Sequence, residues 1–349
     1  MINTLQRRWE RMKSFLLLLL IGLSGCGLIP RPQPVVVASP TLPLATVTPT
    51  DTPLAPVPTA ALGDAGNPLI LSLAPSPHLD SNALNASKIL IARLEKSTGY
   101  QFITIAPTSE SELINRFQNG DAHIGVLSPF GYLLASDNGS VEAAFARQQA
   151  GNTFYGAQFI ARSDAGFLPY FDSVKNENTA DASTALAQFQ NKKSCWSDEF
   201  SPSGYVVPLG FLNQAGVQLD ESAFVAGQPT VVRAVYAQGV CDFGATYIDA
   251  RTYPGLEDAF PDVLKKVMVV WRIPNIIPYE TLVFAGNMDN DMRRILIRAF
   301  VDAMDTADGN AAMQTLYGID AMQVAQDGQY QDFRNMVKAS GLELNTLVK

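Results

Sequence analysis

Histidine is scarce in this chain, with only His78 and His123 among 349 residues. Two residues 45 positions apart cannot make the paired-histidine zinc motif of a helix, and neither stands beside a serine or cysteine nucleophile. The Gly-x-Ser-x-Gly elbow, the Ser-x-x-Lys pair and the phosphate loop ending in Gly-Lys are missing too. Adjacent carboxylates such as Asp198 and Glu199 read as a solvated face. These gaps argue against an enzyme. Basic residues are in deficit, 25 against 33 acidic ones, giving a net charge of −8. An acidic body without a Lys/Arg cluster beyond the N-terminus argues against phosphate-backbone binding and hence against a nucleic-acid partner. After the first 25 residues, no apolar run approaches the roughly 20 residues a spanning helix needs.

The short apolar run that does occur lies at the N-terminus. Arg7, Arg8, Arg11 and Lys13 precede residues 15–23, which are apolar and too short to span a bilayer. This is the layout of a signal peptide. It ends in Leu23, Ser24, Gly25 and Cys26, similar to the lipobox of bacterial lipoproteins, so residues 1–25 are expected to be removed and Cys26 lipidated. Residues 26–66 follow as a Pro/Thr-rich, nearly uncharged linker. Proline denies it helix and ladder hydrogen bonds, and at about 3.1 Å per residue it reaches roughly 120 Å when fully stretched. The expected location is the outer face of a bacterial cell membrane, anchored by lipid. Cys195 and Cys241 then remain as an even pair, a disulfide in an oxidising compartment or two buried thiols in neighbouring strands.

Beyond the linker, strand and helix patterns alternate. Residues 68–74, 101–106 and 122–128 read as strands. Helices over 81–97 and from Ser109 separate them, and a short helix runs on to about 135. Glu112, three residues after Ser109, suggests a capping box. A second series begins with a strand at 154–162, followed by loop and weak helix to about 184. Strands at 193–198 and 240–247 then alternate with helices at 206–215 and 230–238. Strands at 267–271 and 280–285 flank the proline-bearing stretch 273–279. An amphipathic helix follows from 289 to about 306, with Met292, Leu296, Phe300 and Met304 on one side, and short helices complete the tail. The reading is α/β with two lobes, 67–161 plus 274–349 and 162–273, and a ligand cleft between them.

Several stretches carry a family resemblance: residues 94–100, 119–126, Ser203 to Tyr205 opening a helix, 239–247, Ile273 to Asn275, Tyr317 to Ile319 and 330–342. In this order they resemble the substrate-binding proteins of phosphonate/phosphite ABC transporters, within the type 2 periplasmic-binding group. The resemblance covers nearly all of the folded body. It implies two lobes, each a mainly parallel sheet covered by helices. It also implies capture of a small anionic or zwitterionic solute for an ABC permease, by a monomer without cofactor or metal. A tethered sensor that presents its ligand to a membrane receptor is the alternative, and an enzyme on the same scaffold ranks third.

The candidate site follows from residues and resemblance together. Ser201, Ser203, Gly204 and Tyr205 stand where a strand gives way to a helix, whose unpaired N–H groups attract an oxyanion; the alternative is that a serine merely caps the helix. The resemblance places threonine where this chain has Pro202, tyrosine where it has Glu110, and histidine where it has Pro229. Ser128 and Phe130 fall where the family places pocket-lining groups. Glu110 and Asp249 are expected to meet a cationic or polar end of the ligand, Glu110 being equally readable as a solvated first-turn residue. Tyr155, Tyr247 and Tyr279 are candidate walls. His123 reads as a satisfied core residue, and His78 as a loop residue able to touch a ligand.

Overall fold

The computed structural model describes residues 60–349, Leu79 excepted. The signal peptide, Cys26 and most of the linker lie outside the described residues. The described residues belong to one compact unit.

Strand β1 (Leu69–Ser72) leads into helix α1 (Ser81–Thr98). Asp80 caps the helix by accepting from the Asn82 N–H, and Gly99 ends it at φ 76°, a left-handed conformation that glycine adopts without Cβ strain. Leu90 and Leu94 are fully buried; each contributes roughly 1.5–3 kcal/mol by leaving water. β2 (Phe102–Ile105), α2 (Glu110–Asn119), β3 (Ile124–Leu127), α3 (Pro129–Asp137) and β4 (Val141–Arg147) follow. Ser109 caps α2 as expected. Glu112, however, takes Thr108 N and Oγ1, each at 2.8 Å, one residue earlier than a reciprocal box requires.

The chain then crosses to a second sheet through β5 (Phe154–Arg162), a small hairpin of β6 (Phe171–Asp172) and β7 (Glu177–Asn178), and α4 (Ala182–Leu186). Next come β8 (Ser194–Trp196), α5 (Val207–Gln214), β9 (Ser222–Phe224), α6 (Gln228–Ala237) and β10 (Phe243–Tyr247). Two single turns, α7 (Leu256–Ala259) and α8 (Val263–Lys266), precede the long strand β11 (Val267–Pro278). The return brings β12 (Thr281–Ala285), α9 (Asn290–Met304), α10 (Ala307–Tyr317), β13 (Met322–Val324) and α11 (Gln331–Ser340).

Strand order is β13-β4-β12-β3-β1-β2 in the first sheet and β11-β5-β10-β8-β9 in the second. The two-lobed α/β architecture stands. Both sheets are mixed rather than mainly parallel: β12 runs antiparallel to β3 and β4, and β5 antiparallel to β10 and β11. The expected lobe boundary at 161/162 is also displaced, because β5 pairs along its length with β10 and β11. The crossovers lie between Arg147 and Phe154 and between Pro278 and Thr281. Nor do the prolines of 273–279 break a strand. They lie in β11, an edge strand with register shifts at Val269/Trp271 and Ile273/Ile277, where a missing N–H is tolerated.

Cys195 of β8 and Cys241, just ahead of β10, form a disulfide with Cα atoms 5.6 Å apart. This loop of 46 residues stabilises the lobe by about 4 kcal/mol on chain-entropy grounds. The tail belongs to both lobes. Phe333 of α11 stacks on Phe130 of α3 at 5.6 Å, while Asn213 of α5 donates to the carbonyls of Ala339 and Ser340.

Candidate functional site

Five residues, Pro202–Val206, form a single wide turn between β8 and α5. Pro202 suits its first position, since its N–H would be orphaned there. Ser201 accepts from the Gly204 N–H at 3.0 Å. A Cβ on Gly204 would lie 2.1 Å from Ser197 Oγ, so only glycine fits.

Gln228, at the start of α6, sets the polarity of this turn. The Tyr247 N–H can only donate, and it donates to Gln228 Oε1 at 2.7 Å. That contact fixes the amide, so Nε2 donates to Ser201 Oγ at 3.1 Å and Ser203 Oγ at 2.9 Å. Ser201 Oγ accepts from both Gln228 and the Gly204 N–H, which fills its lone pairs, and Ser203 Oγ accepts from Gln228; neither hydroxyl can aim its own proton at the Gln228 amide nitrogen. Burial pushes the Tyr155 phenol up to about 12, with the neighbouring Ser203 hydroxyl pulling the other way. The turn is thus a preorganised donor array without a formal cation. Ser201 and Ser203 are themselves buried, 7% and 2% exposed, and the half-buried Tyr155 is the more accessible of the three.

On the first lobe lies a cleft of about 460 Å³ lined by Thr108, Ser109, Glu110, Ser128, Glu280 and Lys349 among others. Glu110 accepts from Ser128 N at 2.5 Å and from Ser128 Oγ at 2.8 Å, and that hydroxyl also caps α3 through the Gly131 N–H. Its carboxyl therefore fills the N-terminus of α3. Burial raises the Glu110 pKa despite the two Ser128 donors, with a smaller push from Glu280. The N-terminus of α2 is filled in the same way: Lys349 O accepts from Glu110 N at 2.9 Å and Ser111 N at 3.2 Å. At the crossovers Arg147 pairs with Glu280 at 2.9 Å, and the Tyr155 and Tyr279 rings stack at 5.0 Å.

The structure therefore brings Ser201, Ser203, Gly204 and the Tyr247 backbone together around Gln228, with Tyr155 beside Ser203, and places Glu110 and Ser128 in the first-lobe cleft and Tyr279 at the crossover. Others go elsewhere. Phe130 is 3% exposed and stacked on Phe333, so it is core and not pocket. Tyr205 turns toward Trp196 and Phe224, at 5.5 and 4.9 Å, in a separate surface cleft. Asp249 is already neutralised: Arg251 grips it with Nε and Nη2, and Gln158 Nε2 donates to it at 2.7 Å. Arg251 and Gln158 hold its pKa down against burial. His123 Nδ1 accepts the Ile70 N–H at 3.0 Å, the satisfied core role. Gln228 was not among the expected residues. The signal was present in the residue before Pro229, one position from where the family's histidine was sought.

A family model described as "ABC transporter, phosphonate, periplasmic substrate-binding protein" matches residues 73–330. The chain belongs to that family. A relative among curated proteins is the phosphate-import protein PhnD of Mycolicibacterium smegmatis, 28% identical over 239 residues, or 64% of this chain and 67% of that protein. The solved structures of XAC2383 from Xanthomonas citri share the fold. The ATP-bound form has a TM-score of 0.56 at 14% identity, covering 80% of this chain and 99% of that one. The chloride-bound form gives 0.53 at 13% identity, with coverage of 78% and 97%. As a phosphonate-type substrate-binding protein, the chain is a transporter component whose relatives bind solutes. No helix among the described residues is long and apolar enough to cross a membrane.

Proposed function

We propose that this protein is an extracytoplasmic lipoprotein, anchored through Cys26, that captures a small oxyanion and delivers it as a monomer to an ABC permease. The carrying observation is the turn ordered by Gln228: main-chain geometry fixes the amide, and the amide, donating to both serine hydroxyls, keeps their protons free for another acceptor. Preorganised donors bind anions without a reorganisation cost.

The ligand is read as a plain oxyanion, phosphate, phosphite or a simple phosphonate, rather than a zwitterion. The two carboxylates expected to hold an amine are already engaged, Asp249 by Arg251 and Glu110 by Ser128. The M. smegmatis relative carries the name phosphate-import protein, which puts phosphate first among candidates.

Thermal melting with phosphate, phosphite, methylphosphonate and an aminoalkylphosphonate, with sulfate as control, tests the reading. A ligand at 100 times its Kd adds about 2.7 kcal/mol and raises the melting temperature accordingly. A rise with phosphate, phosphite or methylphosphonate supports it. No rise with any of them removes the oxyanion reading, and a rise with the aminoalkyl compound alone restores an amine pocket.

A further inference from the structure

The cleft on the first lobe holds one residue that neither the donor array nor the crossover contacts explain. Lys349 is anchored at its backbone oxygen to the first turn of α2, through Glu110 N and Ser111 N. Its side chain leaves that lobe: Nζ lies 3.6 Å from the centroid of the Phe200 ring, on the other lobe. Phe200 immediately precedes Ser201, so the ammonium stands beside the donor turn.

Among the described residues, no acidic side chain of the cleft forms an ion pair with it. Of the side chains lining the cleft, Lys349 is the basic one and Glu110 and Glu280 are the acidic ones. Glu280 is paired with Arg147, and Glu110 is enclosed by Ser128 with its pKa raised by burial. Among the described residues no Asp or Glu side chain forms a salt bridge with Lys349, and an aromatic face is the contact of its ammonium. A ring holds an ammonium more weakly than a charged oxygen does. A lysine with a fixed backbone and a flexible four-carbon stem can exchange one for the other by side-chain rotation alone.

We propose that Lys349 is a ligand-contacting residue: its ammonium leaves the Phe200 ring for the oxyanion at the Ser201–Ser203 turn, supplying the formal positive charge that turn lacks. This rests on the oxyanion reading above. It makes the tail part of the binding site, with one residue joining both lobes when the anion is seated.

The test is calorimetric titration of inorganic phosphate and methylphosphonate into the wild-type protein, K349M and K349R, at low and high salt. K349M is expected to bind about tenfold or more weakly and to lose part of the salt dependence, because an ion contact has been removed. K349R, which keeps the charge, is expected to recover most of the affinity. The 15N or 13Cε resonance of Lys349 should shift on adding phosphate, which a purely packing role would not cause. Unchanged affinity in K349M, or an unmoved resonance with phosphate bound, overturns the proposal and leaves the oxyanion reading intact. Failure of the wild-type protein to bind either anion overturns both, so the two failures are distinguishable.

Discussion

In the proposed site a single amide orders the Ser201–Ser203 turn. Gln228 to Glu conserves size and the acceptor for the Tyr247 N–H, but replaces the donating Nε2 with a second acceptor. The serine protons would turn inward to meet it, and a negative charge would stand behind the turn. Oxyanion affinity in Q228E is expected to fall by at least about tenfold, each lost hydrogen bond to a charged group being worth roughly 1.5–3 kcal/mol. Titration calorimetry reads this, and wild-type affinity would remove Gln228 from the site. Glu110 makes a second case. Burial raises its native pKa above the ordinary value near 4.5, so the folded state binds this proton more tightly than the unfolded chain. The contribution to stability is whole below that ordinary value and is lost as pH rises through the native one. E110Q, which has no charge to bury, is expected to melt about 2 °C above wild type at pH 7, with the gap closing near pH 4. A gap that persists at pH 4 would point to packing instead of ionisation.

Elements with local signals were the readable ones. Helix α1 announces itself through Asp80, its apolar spacing and Gly99, and α9 buries Met292, Leu296 and Phe300 as its periodicity predicts. β4 went unread because Val141 to Arg147 is alanine-rich and pairs on both sides in the sheet, so it has no half-exposed alternation. β9 is three residues long and exists by pairing with β8. The proline-bearing half of β11 looked like a break because edge position, which makes proline acceptable, is a property of the assembled sheet. The donor turn could be located from Ser-x-Ser-Gly-Tyr, but its polarity could not, since that depends on contacts from Gln228 and Tyr247, 25 and more residues away. The meeting of α5 and α11 is likewise invisible locally. A Cβ on Gly210 would lie 2.3 Å from the Met336 carbonyl. G210A should therefore force the two helices apart, at about 1–3 kcal/mol by overpacking; an unshifted denaturant midpoint would mean the tail helix is not packed there.

At the level of the molecule, two crossovers and a shared tail join the lobes. The Arg147–Glu280 pair and the Tyr155–Tyr279 stack tie the crossovers together, while α11 carries contacts to α3 and α5 at once. Any hinge motion that admits a ligand must accommodate that third connection, which is why the tail resembles part of the binding apparatus more than an appendage. The Cys195–Cys241 bridge gives this arrangement a chemical address. It fastens β8 next to β10, the strand that leads into the donor turn and the strand that ends at the Tyr247 amide steering Gln228. The proposed anion-binding turn is thus stitched at its base by sulfur. Protein made where thiols stay reduced would keep its chain but hold that base loosely, and affinity measured on such material would describe a slacker grip than the one exercised outside the cell.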